Sequence, residues 1–365
     1  MPVDVKVPDI RISQAHIKSE ASVRTEERSA EDAKGSHLEI RHFLLSRGNS
    51  ASADRVFHVL MVLCALSIFA IVALIAWRLV VSSQLTWNRF GFHFFYQTFH
   101  DTITGQAMYW DPVNDLFSAV PFIYGTLVSS FVALLIAVPL AVLLAVFLTE
   151  MCPKVLRGPL AFLTELLAAI PSIVYGLWAM YELVPLLREY VNPLLSKLLG
   201  WTGLFANNNP TGLGFLASGV ILAIMILPII SSLTREVMSA VPHSQREAVL
   251  ALGATRWEMI RVGVLRNARI GIVGGIILGL GRALGETMAV TMVIGNTPEI
   301  HKSLLETGIS MASVIADQFT EAVSDMHRSA LIEIGLALFI VTIIVNAFAQ
   351  LLVWAVTRGA PSQAR

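Results

Sequence analysis

Charge is what this sequence has least of. Only 14% of its 365 residues are Asp, Glu, Lys or Arg, against about 25% in an ordinary soluble domain. Hydrophobic residues make up 55%, and the mean hydropathy is +0.68. A chain so poor in charge cannot cover its surface with hydrated groups, so much of that surface must face lipid. Cysteine is nearly absent as well. Cys64 lies inside an apolar run and Cys152 in a short connection, which excludes a disulfide framework and a thiolate metal cluster. No Gly-rich segment ends in Gly-Lys-Ser/Thr, so the chain has no phosphate cradle for a nucleotide of its own. No His-Glu-x-x-His pair occurs and the nine histidines are scattered, which argues against a membrane metalloenzyme. No cofactor is expected. Acidic and basic residues balance at 26 each, leaving no basic excess for nucleic acid.

The apolar residues are not spread evenly. The first 55 residues hold nine basic and nine acidic side chains and no sustained hydrophobic period, too little apolar surface to offset the entropy of ordering. Nor do they contain the apolar core and cleavage site of a secretory signal. Residues 1–54 therefore read as a disordered cytoplasmic tail, with a partner-binding segment as the alternative.

Six apolar runs follow, near 56–81, 121–148, 160–187, 214–237, 270–294 and 331–356. Each is long enough to span, since a crossing needs about 20 residues. The reading is an all-α polytopic membrane protein. Pro139, Pro171 and Pro228 fall inside runs, where neighbouring helices can satisfy the freed carbonyls. Pro171, between Glu165 and Tyr175, predicts a kinked or broken third span.

Lys and Arg near the span ends set the orientation. One side carries Arg41, Arg47, Arg55, Lys154, Arg157, Arg235, Arg246, Arg256, Arg261, Arg266, Arg269, Arg358 and Arg365. The other carries Arg78, Arg89, Arg188, Lys197, Lys302 and Arg328. Thirteen against six puts both termini in the cytoplasm. The chain then divides into the tail 1–54, a first span with its outer loop over 55–119, a transmembrane domain over 120–358 with a cytoplasmic loop at 239–266, and a short tail 359–365. The outer loop holds ten aromatic residues between Trp87 and Phe117. That density predicts a segment resting on the membrane interface, with a docking surface for an extracytoplasmic partner as the alternative.

The cytoplasmic loop is the most informative stretch. Its sequence runs Pro242-His-Ser-Gln-Arg-Glu247-Ala248-Val-Leu-Ala-Leu-Gly253-Ala254-Thr255-Arg-Trp-Glu258. A helix can start after Pro242 and stop at Gly253 as its C-terminal cap. A second can start at Thr255, with Glu258 completing a capping box. Helix, glycine turn and helix make a rigid knob, or alternatively an ordinary interfacial helix pair. In the fifth run, Gly271, Gly275 and Gly279 recur every four residues, a stripe that lets helices approach closely in lipid. Arg282, 13 residues past Arg269, lies roughly 20 Å along a helix and so near mid-membrane. Placing an Arg there costs about 2.5–3.5 kcal/mol even on the lenient scale. Glu286, four residues on, would share its face and pair with it. A translocation path and a structural clasp are the two readings of that pair.

Glu247-Ala248 followed by Gly253 at this place resembles the EAA loop of bacterial ABC importer permeases. That family implies a type I importer permease fold, with the loop as a coupling helix seated on a cytoplasmic ATPase. Glu247, Ala248, Gly253, Ala254 and Thr255 are the residues it points to. Val249, Gly263 and Arg266 depart from the pattern, mostly in the second helix. The run Gly281-Arg282-Ala-Leu-Gly285-Glu286-Thr-Met-Ala-Val290 resembles the phosphate-specific permeases of that class. So do Glu165-Leu-Leu-Ala-Ala-Ile-Pro171-Ser-Ile-Val-Tyr175-Gly176 and Trp110-Asp-Pro112 with Pro121-Phe-Ile-Tyr124-Gly125-Thr126. The long aromatic loop is closer to the first permease (PstC type) than to its paired homologue. The resemblance implies a second homologous permease subunit, two copies of a cytoplasmic ATP-binding subunit, a periplasmic phosphate-binding protein, and residence in the bacterial inner membrane. It makes Arg282 and Glu286 the residues of phosphate passage. The paired permease, a permease for sulfate or phosphonate, and an ion-coupled secondary transporter stand as alternatives.

Cysteine-accessibility labelling checks the orientation. Residues near Ser52 and Ser362 are expected to react from the cytoplasmic side, and those near Thr104, Asn208 and Asp317 from the outside. Labelling of Thr104→Cys only from the inside would overturn the topology.

Overall fold

The computed structural model describes residues 50–100, 107–206 and 209–357. The tail up to residue 49, the segment 359–365 and the loop positions Thr104 and Asn208 lie outside them. In chain order the helices are α1 (Ser50–Ser82), the short α2 (Gln84–Phe90), α3 (Val120–Val146), α4 (Lys154–Ala169) and α5 (Ser172–Trp178). Next come α6 (Phe215–Ser239), the short α7 (His243–Ala251), α8 (Arg266–Leu284), the short α9 (Met288–Ile294) and α10 (Met311–Gln318), and lastly α11 (Asp325–Thr357). Among the described residues five helices are long and apolar enough to cross a membrane, or six if the bent pair that begins with α4 and continues from Ser172 counts as one span. The chain is thus an all-α multi-pass membrane protein, as its apolar runs predict. Up to Leu74, every large apolar side chain of α1 from Val56 onward is exposed. A helix apolar all round suits hydrocarbon, not water.

The packing of α3, α6 and α8 is built on small residues. Ala133, Ala137 and Ala141 of α3 are fully buried against Leu222, Ala223, Ile226 and Ile230 of α6. The glycine stripe of α8 packs on α6 as well, sharing Ile230 with the α3 contact. A Cβ at Gly271 would meet Val237 at 2.5 Å, one at Gly275 Leu233 at 3.4 Å, and one at Gly279 Ile230 at 2.8 Å. Van der Waals fit substitutes for the hydrophobic drive that lipid does not supply between helices.

Two of the apolar runs are interrupted. At the first, Ile170 is extended (φ −69°, ψ 130°), as a residue before proline prefers, and the helix restarts at Ser172 at an angle of 92°. Tyr175 Oη donates to the Leu167 carbonyl at 2.7 Å, closing a helix end inside the membrane where no water can. The second interruption corrects an expectation. The run 270–294 is not one helix: the helical path begins at Arg256, passes through wider turns at Met259–Leu265 and ends with α8 at Leu284. Gly285, Glu286 and Thr287 are non-helical, and α9 follows. Thr287 Oγ1 donates to the Gly285 carbonyl at 3.3 Å and Thr291 Oγ1 to that of Thr287 at 2.8 Å. The two interruptions meet. A Cβ at Gly176 of α5 would stand 2.7 Å from Met292 Sδ and 3.1 Å from Ala289 Cα of α9, so α5 and α9 approach as only a glycine permits.

The aromatic outer loop also departs from its prediction. Two short antiparallel strand pairs shape it, Phe99–His100 with Ala107–Met108 and Trp110–Asp111 with Leu116–Phe117. Asp111 closes the intervening turn. Hydrogen bonds from the Asn114 side chain and from the Val113 and Asn114 amides hold its carboxyl below the usual range. Phe94, Trp110 and Phe117 do not rest on the interface. They are buried with Phe122, Met311 and Leu331 in one apolar cluster. Trp110 packs edge-on to Phe117 and Phe122 at 4.6 and 4.9 Å, and its Nε1 donates to Gln318 at 2.7 Å. Trp87, Phe92 and Tyr96 do stay exposed.

This division has a measurable consequence. Phe117→Ala empties a fully buried site and is expected to cost about 3–5 kcal/mol, seen as a clear fall in the thermal unfolding midpoint of the purified protein. Phe92→Ala, on an exposed ring, is expected to stay within about 0.5 kcal/mol.

Candidate functional site

The glycine contacts set a register between α8 and α6. Gly271 is level with Val237, Gly275 with Leu233 and Gly279 with Ile230, so the helices run antiparallel and Arg282 falls level with about Ile226. Arg282 stands in the last turn of α8, exposed at the surface of this chain. It lines a cavity of about 540 Å³ with Ile229 of α6, Gly274 and Gly281 of α8, and Asn346 and Gln350 of α11. The glycines of α8 therefore serve two faces: Gly271, Gly275 and Gly279 pack on α6, while Gly274 and Gly281 leave room beside the guanidinium.

Glu286 does not pair with Arg282. The expected i,i+4 geometry needs an unbroken helix, and α8 ends at Leu284. Glu286 instead sits half-buried in the non-helical link, and among the described residues no carboxylate lies within ion-pair distance of Arg282. A guanidinium in a membrane span is costly without a partner. This one faces a cavity with two amides for company. The Oδ1 of Asn346 is buried and unbonded among the described residues. Asn346 and Gln350 escaped the sequence reading, although two amides inside an apolar run were the available signal. Glu333 escaped it too; it is fully buried in α11 with neither oxygen bonded among the described residues.

At the Arg-rich end the predicted knob is present. Helix α7 follows Pro242, and Gly253 takes φ +85°, the left-handed backbone that ends it. The Thr255–Glu258 capping box is complete: Thr255 N donates to Glu258 Oε2 at 2.8 Å and Glu258 N to Thr255 Oγ1 at 3.3 Å. Glu247, Ala248, Gly253 and Thr255 are exposed and Ala254 half-buried. Leu250, Leu252 and Trp257 expose large apolar surfaces beside them.

What holds the knob is a residue that sequence reading passed over. Arg246 points inward from α7 and is nearly enclosed. Its guanidinium bonds Glu150, at the end of the α3 crossing, at 3.0 and 3.3 Å, the Met238 carbonyl at 2.9 Å, and the Val241 carbonyl. Asn267 of α8 donates to Gln245 at 2.9 Å. The knob is thereby fastened to α3, α6 and α8 together.

Comparison with known proteins gives the class of this multi-pass membrane bundle. The chain belongs to the binding-protein-dependent transport system inner membrane component family, whose model matches residues 107–358. It is 42% identical to the phosphate transport system permease protein PstC of Mesorhizobium japonicum, over 82% of this chain and 90% of that one. It is also 42% identical to PstC of Haemophilus influenzae, over 84% of this chain and 94% of that protein. Among solved structures, a bacterial ABC transporter that imports the acidic polysaccharide alginate aligns with 65% of this chain and 79% of its own, at 20% identity and a TM-score of 0.47.

The Arg246–Glu150 pair predicts a non-additive result. Either Arg246→Ala or Glu150→Ala strands its partner's charge and is expected to cost about 3–5 kcal/mol. The double substitution should cost less than the sum. Purification yield and thermal midpoint of the two single variants and the double variant measure it, and simple additivity would refute the fastening role.

Proposed function

We infer that this chain is the PstC-type permease subunit of an ATP-driven importer of inorganic phosphate. Its similarity to two curated phosphate permeases along more than four fifths of its length carries that reading. The chain forms the membrane path and does not hydrolyse ATP. Its exposed knob at Glu247–Thr255 docks on a separate ATPase, two copies of which serve this subunit and a second homologous permease in the inner membrane. The apolar side chains Leu250, Leu252 and Trp257 support this docking, because exposed apolar clusters outside lipid mark contact surfaces. A periplasmic phosphate-binding protein delivers the anion to the outer face.

Passage is assigned to Arg282. Phosphate is multiply charged and strongly hydrated, and a low-dielectric path needs a cation close to it. Arg suits the task because its charge survives burial and its planar fork meets two oxygens at once. The unpaired state of Arg282 favours a working charge over a clasp, since a clasp needs its carboxylate bound. Glu286, on the non-helical link, is the acid that competes with the anion when the link moves, so that phosphate is not held too tightly.

Arg282→Ala is expected to lower phosphate uptake in proteoliposomes at least 30-fold, the worth of a charge-assisted hydrogen bond of about 2 kcal/mol, with the complex still assembled and binding ATP. Arg282→Lys should also be impaired, because a point charge does not reproduce the fork. Near-normal uptake by the exchanged pair, Arg282→Glu with Glu286→Arg, would defeat the assignment.

A further inference from the structure

A second cavity, of about 420 Å³, lies at the Arg-rich end between the end of the α3 crossing, α4 and α6. Its polar lining comes from Thr149 at the end of the α3 crossing, from Arg157 and Glu165 of α4, and from Ser232, Arg235, Glu236 and Ser239 of α6. Two guanidiniums, two carboxylates and three hydroxyls line it. Arg235 is held by Glu165 at 2.5 Å. Arg157 meets no carboxylate among the described residues; its Nη2 donates to the Thr149 carbonyl at 2.6 Å. Glu236 stays exposed at the rim.

The position of this cavity is as telling as its lining. Ile229 of the Arg282 cavity and Ser232 and Glu236 of this one recur at i, i+3 and i+7 on α6, one stripe of the helix. The α6–α8 register puts Arg282 level with about Ile226, so Arg235 lies nine residues, roughly 14 Å, further toward the Arg-rich end. An anion that left Arg282 along this side of α6 would next reach Arg235 and Arg157.

We propose that the α4–α6 cavity is a second site for a phosphate-type oxyanion on the cytoplasmic side, with Arg157 and Arg235 as its cationic ligands and Ser239 as a hydroxyl donor; the Ser232 hydroxyl is held by the Ile229 carbonyl at 3.1 Å. The proposal rests on the reading of the α6 groove as the path. Glu165 acts as the competitor: it neutralises Arg235 when the cavity is empty and yields its hydrogen bond to the anion. The oxygens that fit this site belong equally to inorganic phosphate and to the headgroup of an anionic lipid.

Equilibrium binding of radiolabelled inorganic phosphate to the full complex in nanodiscs tests it, without the periplasmic protein and without ATP. The lipid is zwitterionic in one arm and contains phosphatidylglycerol in the other. Saturable binding is expected, weakened at least tenfold by Arg157→Gln and by Arg235→Gln and tightened severalfold by Glu165→Gln. Arg282→Ala should retain this binding while losing uptake. Loss of binding only in the phosphatidylglycerol arm, sensitive to the same two arginines, identifies the lipid headgroup as the occupant of the same site. Two results overturn the proposal. One is no saturable binding in either lipid with the subunits co-purifying intact. The other is binding that Arg282→Ala abolishes and the Arg157 and Arg235 variants leave unchanged, which keeps the reading of Arg282 and removes the second site. Where a Gln variant does not co-purify, Arg235→Lys keeps the charge without the fork and should still weaken binding.

Discussion

Inside hydrocarbon every backbone N–H and C=O must find a partner in the protein, and the site of this chain is arranged around the two places where that rule is strained. The third apolar run breaks at Pro171 and the fifth at Gly285–Thr287. Neither break can rely on water. Tyr175 closes one by bonding the Leu167 carbonyl, Thr287 and Thr291 close the other, and the segments that follow pack against each other at Gly176. Each break is thus covered by the element that follows its counterpart. This arrangement puts Arg282 in a terminal helical turn and releases Glu286 from the helix.

The charges of the membrane domain fall into two kinds by their partners. Arg246 has all it can use: a carboxylate and two carbonyls in a nearly enclosed pocket. Such a pair fastens, because either half alone would be an uncompensated charge. Arg282 has a cavity and two amides. Arg235 lies between these cases, bound to a Glu165 that is itself half in the open. The order from fastened to free follows the distance from the knob toward the Arg282 groove.

The knob and the groove are mechanically one object. Arg246 ties α7 to the α3 crossing, and Asn267 ties it to the base of α8. Helix α8 carries Arg282 at its other end and packs on α6 along a glycine stripe that receives Val237, Leu233 and Ile230. A displacement of α7 therefore reaches the last turn of α8 through a continuous helical path.

Much of this was legible in the residues. Six apolar runs, the proline break at Pro171, the Gly253 turn and the Thr255–Glu258 box all follow from local chemistry: span length, a missing N–H, a left-handed backbone, a capping pair. Arg282 was legible because a charge in an apolar run is rare enough to stand out. Three things were not. The burial of Phe94, Trp110 and Phe117 depends on α10 and α11, some 200 residues away in sequence, and interfacial and core aromatics have the same composition. The fifth run reads as continuous because Gly-Glu-Thr breaks a helix only where a neighbour, here α5, can cover the ends. Arg246 and Glu150 look like ordinary residues of a cytoplasmic loop until the fold encloses them. Sequence alone determined the spans, the knob and the lone charge, since each is written within a few turns of chain. Which charges are fastened and which are free was decided by the tertiary structure, because a partner 70 or 96 residues distant is chosen by packing and not by spacing.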